Sequence, residues 1–265
     1  RGEPPSLPYS NQNILDHPAV KAADIIHLHW VTGVLDYPSF FKNNEKPVVW
    51  TIHDMNTIKG LFHYNGDEQR NAAIAGKLDK QIFSLKKKVI KDHKNKMALV
   101  SPSLWLKNAI KESSMFDAEQ LMYEIHYPLD TNIFTIRNTE DLKARLKIPA
   151  DHTILLFISQ SIDNHRKGFD LLVDALGKLD SSKITLLIIG YSENTQLSGF
   201  NCINMGYIHD NEILSNYYSL ADAFIIPSRE DNLPNIMLES LCCGTPVISF
   251  NLGGMAEIVQ DNFNG

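Results

Sequence analysis

One stretch of the chain places two acidic side chains around a turn that enters a helix. Asp231 lies in a polar loop after an apolar run that ends at Pro227, and Glu239 follows about one turn into a predicted helix, Asn235 to Cys243. Pro234 suits the first turn of that helix. Unpaired amides at a helix start favour phosphate, and carboxylates accept hydrogen bonds from sugar hydroxyls. The stretch therefore predicts a site for an anion that carries hydroxyl groups. The alternative is an ordinary strand–loop–helix with surface acids.

A second polar loop follows the apolar run from Ile154 to Ile158 and precedes another predicted helix. It contains Arg166, Lys167 and Gly168. Cations at the carboxyl end of a strand can neutralise the charge that develops on a diphosphate leaving group. The alternative is a solvated basic turn before a helix.

Histidines in the first half of the chain form a third candidate site. His27 and His29 share one face of a predicted strand, and His53 and Asp54 follow the next strand. Imidazole and carboxylate suit zinc or iron, so these four side chains are also typical of a metal-dependent hydrolase. The alternative is that one strand histidine packs in the core.

Composition indicates the class of protein that must position these residues. The 265 residues are 43% hydrophobic and 21% charged, as in an ordinary soluble domain. The formal net charge of −6 argues against a general nucleic-acid binder. No apolar run approaches the roughly 20 residues that span a bilayer. The chain has three cysteines, two of them adjacent at Cys242 and Cys243, which argues against a disulfide framework and favours a reducing compartment.

Short apolar runs alternate with amphipathic helical patterns along most of the sequence. Runs rich in Val, Ile and Leu without alternation are typical of strands that are buried on both faces of a parallel sheet. The pattern predicts a doubly wound α/β architecture. We predict strands at 25–29, 48–52, 99–101, 122–125, 154–158, 184–189, 223–226 and 247–250, and helices at 80–94, 104–113, 139–146, 169–179, 210–220 and 235–243.

A mixed-charge stretch between Pro128 and Pro149 divides the sequence. Similar numbers of strands are predicted on each side, so we expect a Rossmann-like domain at 1–127, a linker at 128–150 and a second Rossmann-like domain at 151–265. The first half opens on a loop and a helix, and the second stops just after a helical start at Gly254. We therefore expect both domains to be partial, with the chain shortened at both ends.

Several ordered motifs give the chain a resemblance to a known family. The segment from Asp231 to Glu239, closed by Gly-Thr-Pro-Val at 244–247, resembles the acidic motif of GT-B-fold glycosyltransferases of family 4, which are retaining enzymes that use nucleotide sugars. The variant Asp-Asn-Leu-Pro-Asn at 231–235 is similar to a bacterial surface-polysaccharide subgroup. Other segments that resemble the family are His27-Leu-His-Trp, Trp50-Thr-Ile-His-Asp-Met, Val100-Ser-Pro-Ser-Leu-Trp-Leu, Tyr127-Pro-Leu-Asp-Thr-Asn-Ile-Phe, Met205-Gly-Tyr-Ile and Gly253-Gly-Met-Ala-Glu-Ile-Val.

The resemblance implies two Rossmann-like domains that face a cleft, and it implies a role for each matching residue. Lys167 would contact the donor diphosphate, Asp231 the hydroxyls of the donor sugar and Glu239 the nucleotide ribose. His53 would face the donor sugar from the first domain. The residues implied to flank the base, or to offer backbone amides to phosphate and sugar, are Tyr207, Ile208, Asn232, Leu233, Pro234 and Asn235.

The implied activity is transfer of a sugar from a nucleotide-diphosphate sugar to a glycan or lipid-linked acceptor, with retention of configuration. The sequence contains no Asp-x-Asp motif, so we expect neither a metal nor a cofactor. The sequence departs from the family in two places. Ser159 to Ser161 occupy the region where the family often has an arginine, and the first acid, Asp231, is Asp rather than the commoner Glu.

The implied location is the bacterial cytoplasm, in polysaccharide biosynthesis. The lysine-rich segment Lys86 to Lys96 could hold an anionic membrane surface or a lipid-linked acceptor, and a solvated helix face is the alternative. Two other functions stay open at this point. One is a metal-dependent hydrolase that uses His27, His29, His53 and Asp54, and the other is a non-catalytic nucleotide-binding module.

Overall fold

The computed structural model describes residues 3–93, 96–191 and 200–265. The chain forms two compact units that divide between His126 and Tyr127. Each unit contains one parallel sheet with helices between its strands, so the predicted α/β class is confirmed. Among the described residues, no helix combines the length and the apolar character needed to cross a membrane.

The first unit is built on a four-stranded parallel sheet whose spatial order follows the chain. Its core surrounds the fully buried Trp50, against which Tyr37 and Phe41 pack their rings. All the strands predicted in this half are present. The elements are α1 (Pro18–Ala22), β1 (Ile26–Leu28), α2 (Tyr37–Asn43), β2 (Val48–Thr51), α3 (Asn65–Lys91), β3 (Met97–Ser101), α4 (Leu104–Glu112) and β4 (Leu121–Glu124).

Helix α3 begins at Asn65, well before the predicted helix at 80–94. The earlier residues include Gly76, which lowers helix propensity and weakens the pattern. The buried side chains of Asp79 and Lys86 tie α3 to the loop that follows β2, and this contact stabilises the whole helix. Residue 94, the predicted end, lies outside the described residues.

The second unit is built on a five-stranded parallel sheet in the order β7-β6-β5-β8-β9. From β5 the chain adds strands on one side and then crosses to the other side of β5 with β8. Ligands of open α/β sheets bind at such a reversal, outside the carboxyl ends of the strands. The elements are α5 (Glu140–Arg145), β5 (Thr153–Ser161), α6 (Phe169–Leu176), β6 (Ile184–Tyr191), β7 (Asn201–Asn204), α7 (Asn211–Leu220), β8 (Ala223–Ile226), α8 (Asn235–Cys242), β9 (Val247–Ser249) and α9 (Met255–Ile258).

Two features of the second unit differ from the sequence-based expectation. Strand β7 was not predicted, because Cys202 and Ile203 are its only apolar residues and it lies at an edge of the sheet. Residues 128–150, which were predicted as a linker, lie within this unit. Phe134 and Ile148 are buried in its core, so this segment contributes to the packing of the second unit.

Candidate functional site

Two loops of the second unit lie on either side of the strand reversal. One follows β5 and contains Arg166 and Lys167, and the other follows β8 and contains Asp231. Gly168 closes the first loop with a φ of +69°, and a Cβ atom there would lie 1.9 Å from the carbonyl oxygen of Pro227. The two loops therefore approach each other through a position that only glycine fits.

The acid and the cations predicted from the sequence meet at this point. Lys167 Nζ lies 2.7 Å from Asp231 Oδ2, and Arg166 Nη1 lies 3.1 Å from the same oxygen. The backbone N–H of Asn232 donates to Asp231 Oδ1 at 3.2 Å. Burial would raise the pKa of Asp231, but Lys167 and Arg166 outweigh it, so the pKa of this carboxyl lies below its ordinary value. Asp231 is therefore ionised at neutral pH although it is buried.

Helix α8 begins directly after this ion pair. Pro234 is its N-cap and carries no polar side chain, so the first amides of the helix point into the loop region without a side-chain cap. Asn232 and Leu233 are buried, and the side chain of Leu233 is part of the hydrophobic core. Only the backbone of Leu233 can therefore serve a ligand, whereas Asn235 is exposed.

Glu239 lies on α8 and is half-buried. The hydroxyl of Tyr218, a fully buried residue of α7, donates to Glu239 Oε2 at 2.7 Å. Burial raises the pKa of Glu239, and the hydrogen bond from Tyr218 lowers it in part, so the pKa remains above its ordinary value. The structure thus holds the second acid of the motif in one orientation, with one carboxylate oxygen on Tyr218.

Tyr207 and Ile208 follow β7 at the same edge of the sheet. The ring of Tyr207 is 42% exposed and stacks on Tyr191, the last residue of β6, with ring centroids 4.9 Å apart. The imidazole of His209 meets the Tyr207 ring edge-on at 4.5 Å. Ile208 is half-buried against the core. An exposed aromatic surface at this edge offers a stacking platform for a planar ring.

Sequence reasoning missed three residues of this region: Tyr191, Tyr218 and Arg229. Tyr191 lies two residues after the predicted strand 184–189 and is the last residue of the observed strand β6, so its place near a strand end was a signal that could have indicated it. Tyr218 lies in the predicted helix 210–220, and its partner Glu239 belongs to a different helix, so no local pattern joins them. Arg229 donates to the carbonyl of His165 and pairs with Asp170, a contact that no local pattern indicates.

In the first unit, His53 lies beside His29, the residue that follows β1. His29 Nδ1 and His53 Nε2 are 3.0 Å apart, and the rings of His27 and His29 lie 4.2 Å apart. His27 Nε2 also pairs with Thr51 Oγ1 at 2.9 Å. Burial, and then the neighbouring His29, lower the pKa of His53, so its imidazole is neutral at pH 7.

Asp54 does not join His53 in a metal site. Its carboxylate contacts His63 Nδ1 at 2.6 Å and accepts from the backbone N–H of Asn56 at 2.8 Å. His63 Nε2 in turn lies 2.7 Å from the hydroxyl of Ser6, and both residues are buried. This chain of contacts ties the N-terminal segment to the loop after β2.

The geometry gives no support to the metal-dependent hydrolase. In the part of the chain that the structure describes, the four side chains proposed for it do not place three ligand atoms within 4.8 Å of one another. One ring nitrogen of each histidine and both carboxylate oxygens of the aspartate are used in the pairs described above. Those four side chains are His27, His29, His53 and Asp54.

The lysine-rich segment includes one residue that cannot face a membrane. Lys86 is 1% exposed, and its Nζ donates to the carbonyl oxygens of Asn56 at 2.9 Å and Lys59 at 3.2 Å. The prediction that Lys86 is part of a basic surface is therefore wrong, because Lys86 is buried against the loop after β2. Lys91 pairs with Asp117 at 3.2 Å, and Lys94 lies outside the described residues.

Comparisons with known proteins relate the second unit to a known family. Residues 152–265 match the family model described as glycosyl transferases group 1. The chain is 24% identical to a D-inositol 3-phosphate glycosyltransferase of Nocardiopsis dassonvillei over 96% of its own length and 59% of that protein. An uncharacterized 41.2 kDa protein in the cps region of Klebsiella pneumoniae is 29% identical over 42% of the chain and 31% of that protein. The chain thus spans well under two thirds of the curated relatives that it matches.

Solved structures show the same fold. Sucrose-phosphate synthase from Thermosynechococcus elongatus has a TM-score of 0.68 at 21% identity, over 89% of this chain and 58% of that one. The Anabaena protein HepE in complex with UDP has a TM-score of 0.68 at 17% identity, over 97% of this chain and 70% of that one. Residues 152–265 therefore resemble the glycosyl transferases group 1 family, and the chain shares the two-sheet α/β fold of GT-B glycosyltransferases.

Proposed function

We propose that this chain belongs to a retaining glycosyltransferase that takes a sugar from a nucleotide-diphosphate sugar. The observation that carries the proposal is the pair formed by Lys167 and Asp231, 2.7 Å apart at the strand reversal of the second unit. Cations, a carboxylate and an uncapped helix start meet there. This combination suits a substrate with both phosphates and hydroxyl groups.

Each part of the donor has a candidate partner in this unit. We assign the diphosphate to Lys167 and the first amides of α8, and the sugar hydroxyls to Asp231. Glu239 accepts the ribose hydroxyls through the carboxylate oxygen that Tyr218 does not use. The exposed ring of Tyr207, with Ile208 beside it, flanks the base. In support, HepE binds UDP, and a second structure of HepE holds UDP and glucose.

The proposed chemistry needs no protein nucleophile. The bond between the anomeric carbon and the phosphate oxygen breaks, and its electron pair stays on the diphosphate. The acceptor hydroxyl attacks on the same face, and its proton passes to the departing phosphate oxygen. Lys167 and the helix amides stabilise the developing charge, which is the role that a metal has in other enzymes. We propose that His53 assists from the first unit.

The acceptor is proposed as a glycan or a lipid-linked sugar of a bacterial surface polysaccharide, made in the cytoplasm. The Klebsiella relative from a cps region supports this choice. The acceptors named for the other relatives, such as D-inositol 3-phosphate, belong to those proteins. Membrane contact of the lysine-rich segment stays a prediction, which now depends on exposed lysines such as Lys88 and Lys91 and excludes the buried Lys86.

The test is calorimetric titration of the chain with UDP, GDP and ADP. We expect at least one to bind, with affinity reduced about tenfold or more by Lys167→Ala and by Glu239→Ala. Lys178→Ala, an exposed lysine of the same unit, is the matched control and should bind as the parent does. Equal affinity in Glu239→Ala and parent would contradict the proposal.

Two further measurements separate the remaining functions. EDTA should leave nucleotide binding unchanged if no metal takes part, and a loss of binding that Mg²⁺ or Mn²⁺ restores would refute the metal-free mechanism. Release of free nucleotide from the matching nucleotide sugar shows turnover. Binding without release, with acceptor mixtures present, would favour the non-catalytic nucleotide-binding module.

A further inference from the structure

The loops after β5 and β8 exchange arginine contacts in both directions. Arg166 Nη1, from the first loop, donates to the carbonyl oxygen of Glu230 in the second at 3.1 Å. Arg229 Nη1, from the second loop, donates to the carbonyl oxygen of His165 in the first at 2.8 Å. The backbone N–H of Arg229 also donates to the carbonyl of Arg166 at 2.8 Å. The two loops are therefore joined by three hydrogen bonds at His165 and Arg166, the two residues that precede Lys167.

The guanidinium of Arg229 is itself fixed by a two-bond contact. Nη1 and Nη2 lie 2.7 Å and 2.5 Å from the two carboxylate oxygens of Asp170, in the first turn of α6. A planar guanidinium that makes two parallel bonds has a defined orientation, which a lysine ammonium would not have. The hydrogen bonds that Arg229 donates to Asp170 raise the pKa of Arg229 and lower the pKa of Asp170.

This contact does little for the stability of the fold. The side chains of Arg229 and Asp170 are 28% and 59% exposed, and exposed ion pairs add little to the free energy of unfolding. Its effect is local. His165 begins the short helical turn His165–Lys167, so a restraint on the His165 carbonyl restrains the backbone that carries Lys167.

We propose that Arg229 is a positioning residue for the donor diphosphate. It holds the His165–Lys167 turn between the β8 loop and Asp170, so that Lys167 meets the phosphates in one orientation. The inference rests on the proposed function, in which Lys167 binds the diphosphate. Arg229 itself contacts the turn and α6 and acts through Lys167.

A double-mutant cycle tests the proposal, with the best-binding nucleotide among UDP, GDP and ADP as the probe. Arg229→Gln should weaken binding about tenfold, because a small displacement of a charged contact has a large effect. Asp170→Asn, which keeps Arg229, should weaken binding in the same direction by a smaller factor. In the Lys167→Ala background, Arg229→Gln should change affinity less than twofold.

The cycle distinguishes positioning from a general loss of structure. Equal fold-changes in the parent and Lys167→Ala backgrounds would overturn the proposal, and so would unchanged affinity in Arg229→Gln. If Arg229→Gln does not fold, Arg229→Lys and Asp170→Asn take its place in the same cycle. Arg145→Gln, an exposed arginine of the same unit, is the control and should bind as the parent does. A parent chain that binds none of the three nucleotides would refute the proposed function itself.

Discussion

Lys167 Nζ and Asp231 Oδ2 lie 2.7 Å apart although they belong to loops that follow different strands. The Asp231 carboxylate contacts one side of the Lys167 ammonium, the group that we assign to binding of the donor diphosphate. Because Asp231 is buried and ionised, Lys167 keeps its charge in a partly buried place before any ligand binds. A phosphate that arrives therefore meets a cation whose desolvation is already compensated.

Neutralising Asp231 should have different effects on nucleotide binding and on the rate of sugar transfer. Asp231→Asn removes the competing negative charge, so we expect nucleoside diphosphate affinity to be retained or to increase. The rate of sugar transfer should fall by roughly a hundredfold, since the ionised partner of the sugar hydroxyls is gone. Calorimetry measures the affinity, and a nucleotide-release assay measures the transfer rate. Asp141→Asn, at an exposed aspartate of the same unit, is the control. Weaker nucleotide binding, in a variant that melts at the parent temperature, would contradict this assignment.

The bond from Tyr218 to Glu239 predicts a pH dependence. The pKa of Glu239 is raised by burial, and the ionised carboxylate accepts from Tyr218 on one oxygen and from the ribose hydroxyls on the other. Nucleotide affinity should therefore fall as the pH drops through this raised pKa. Tyr218→Phe removes a bond that favours the carboxylate, so the midpoint should move to higher pH. Tyr217→Phe, one residue away on α7, should leave the midpoint in place.

The raised pKa of Glu239 should affect the free energy of unfolding in the opposite direction to nucleotide affinity as the pH changes. A carboxyl whose pKa is raised in the folded state binds protons more tightly there, so its contribution to stability is lost as the pH rises through that pKa. We expect Glu239→Gln to be more stable than the parent at pH 7 and similar to it at pH 4. Urea unfolding at pH 7 and at pH 4 measures the two free energies of unfolding. A variant that is less stable than the parent at pH 7 would contradict the prediction.

The contact between His29 and His53 predicts a shifted titration. After burial, His29 is the largest cause that lowers the pKa of His53. His29→Gln should therefore raise the pKa of His53, as read from the ring proton signals in an NMR titration. His209→Gln, in the other unit, should leave it unchanged. Because the folded-state pKa is lowered, the parent should lose stability as the pH falls below the ordinary histidine value of 6.5.

Two glycines with similar backbone angles should respond differently to alanine. Gly168 and Gly206 have φ of +69° and +66°. A Cβ atom at Gly168 would lie 1.9 Å from the carbonyl oxygen of Pro227, whereas a Cβ atom at Gly206 would have no other atom within 4 Å. Gly206→Ala should cost about 1 kcal/mol from the left-handed backbone alone. Gly168→Ala should cost at least twice as much and weaken nucleotide binding, because the two loops must separate. Equal losses of unfolding free energy would exclude the close approach.

The strands could be predicted from sequence wherever apolar side chains are continuous. Strand β8 was predicted with its observed bounds, 223–226. Strand β7 could not be predicted, because at a sheet edge Asn201 and Asn204 face solvent and the apolar signal is too short. Local patterns report burial, and an edge strand has little of it.

The candidate site was predicted residue by residue, but its contacts were not. The motif indicated Asp231, Glu239 and Lys167, since each lies at a strand end or helix start that the sequence reveals. Tyr218 contacts Glu239 from another helix, and Arg229 contacts His165 and Asp170, which precede it by 64 and 59 residues. Asp54 is a sharper case, because its neighbour in sequence is His53 while its carboxylate contacts His63. Proximity in sequence does not determine which side chains meet beyond the strand ends.

The buried ammonium of Lys86 has a consequence for local opening of the first unit. This single group donates to both Asn56 and Lys59, and Asp79 on the same helix accepts from the amide of Leu61 at 2.6 Å. If the loop at residues 56–61 detached from the helix, the buried Nζ of Lys86 would lose its hydrogen-bond acceptors. Backbone amides of residues 56–61 and of the inner face of α3 should consequently exchange with deuterium at a common rate, as one cooperative segment.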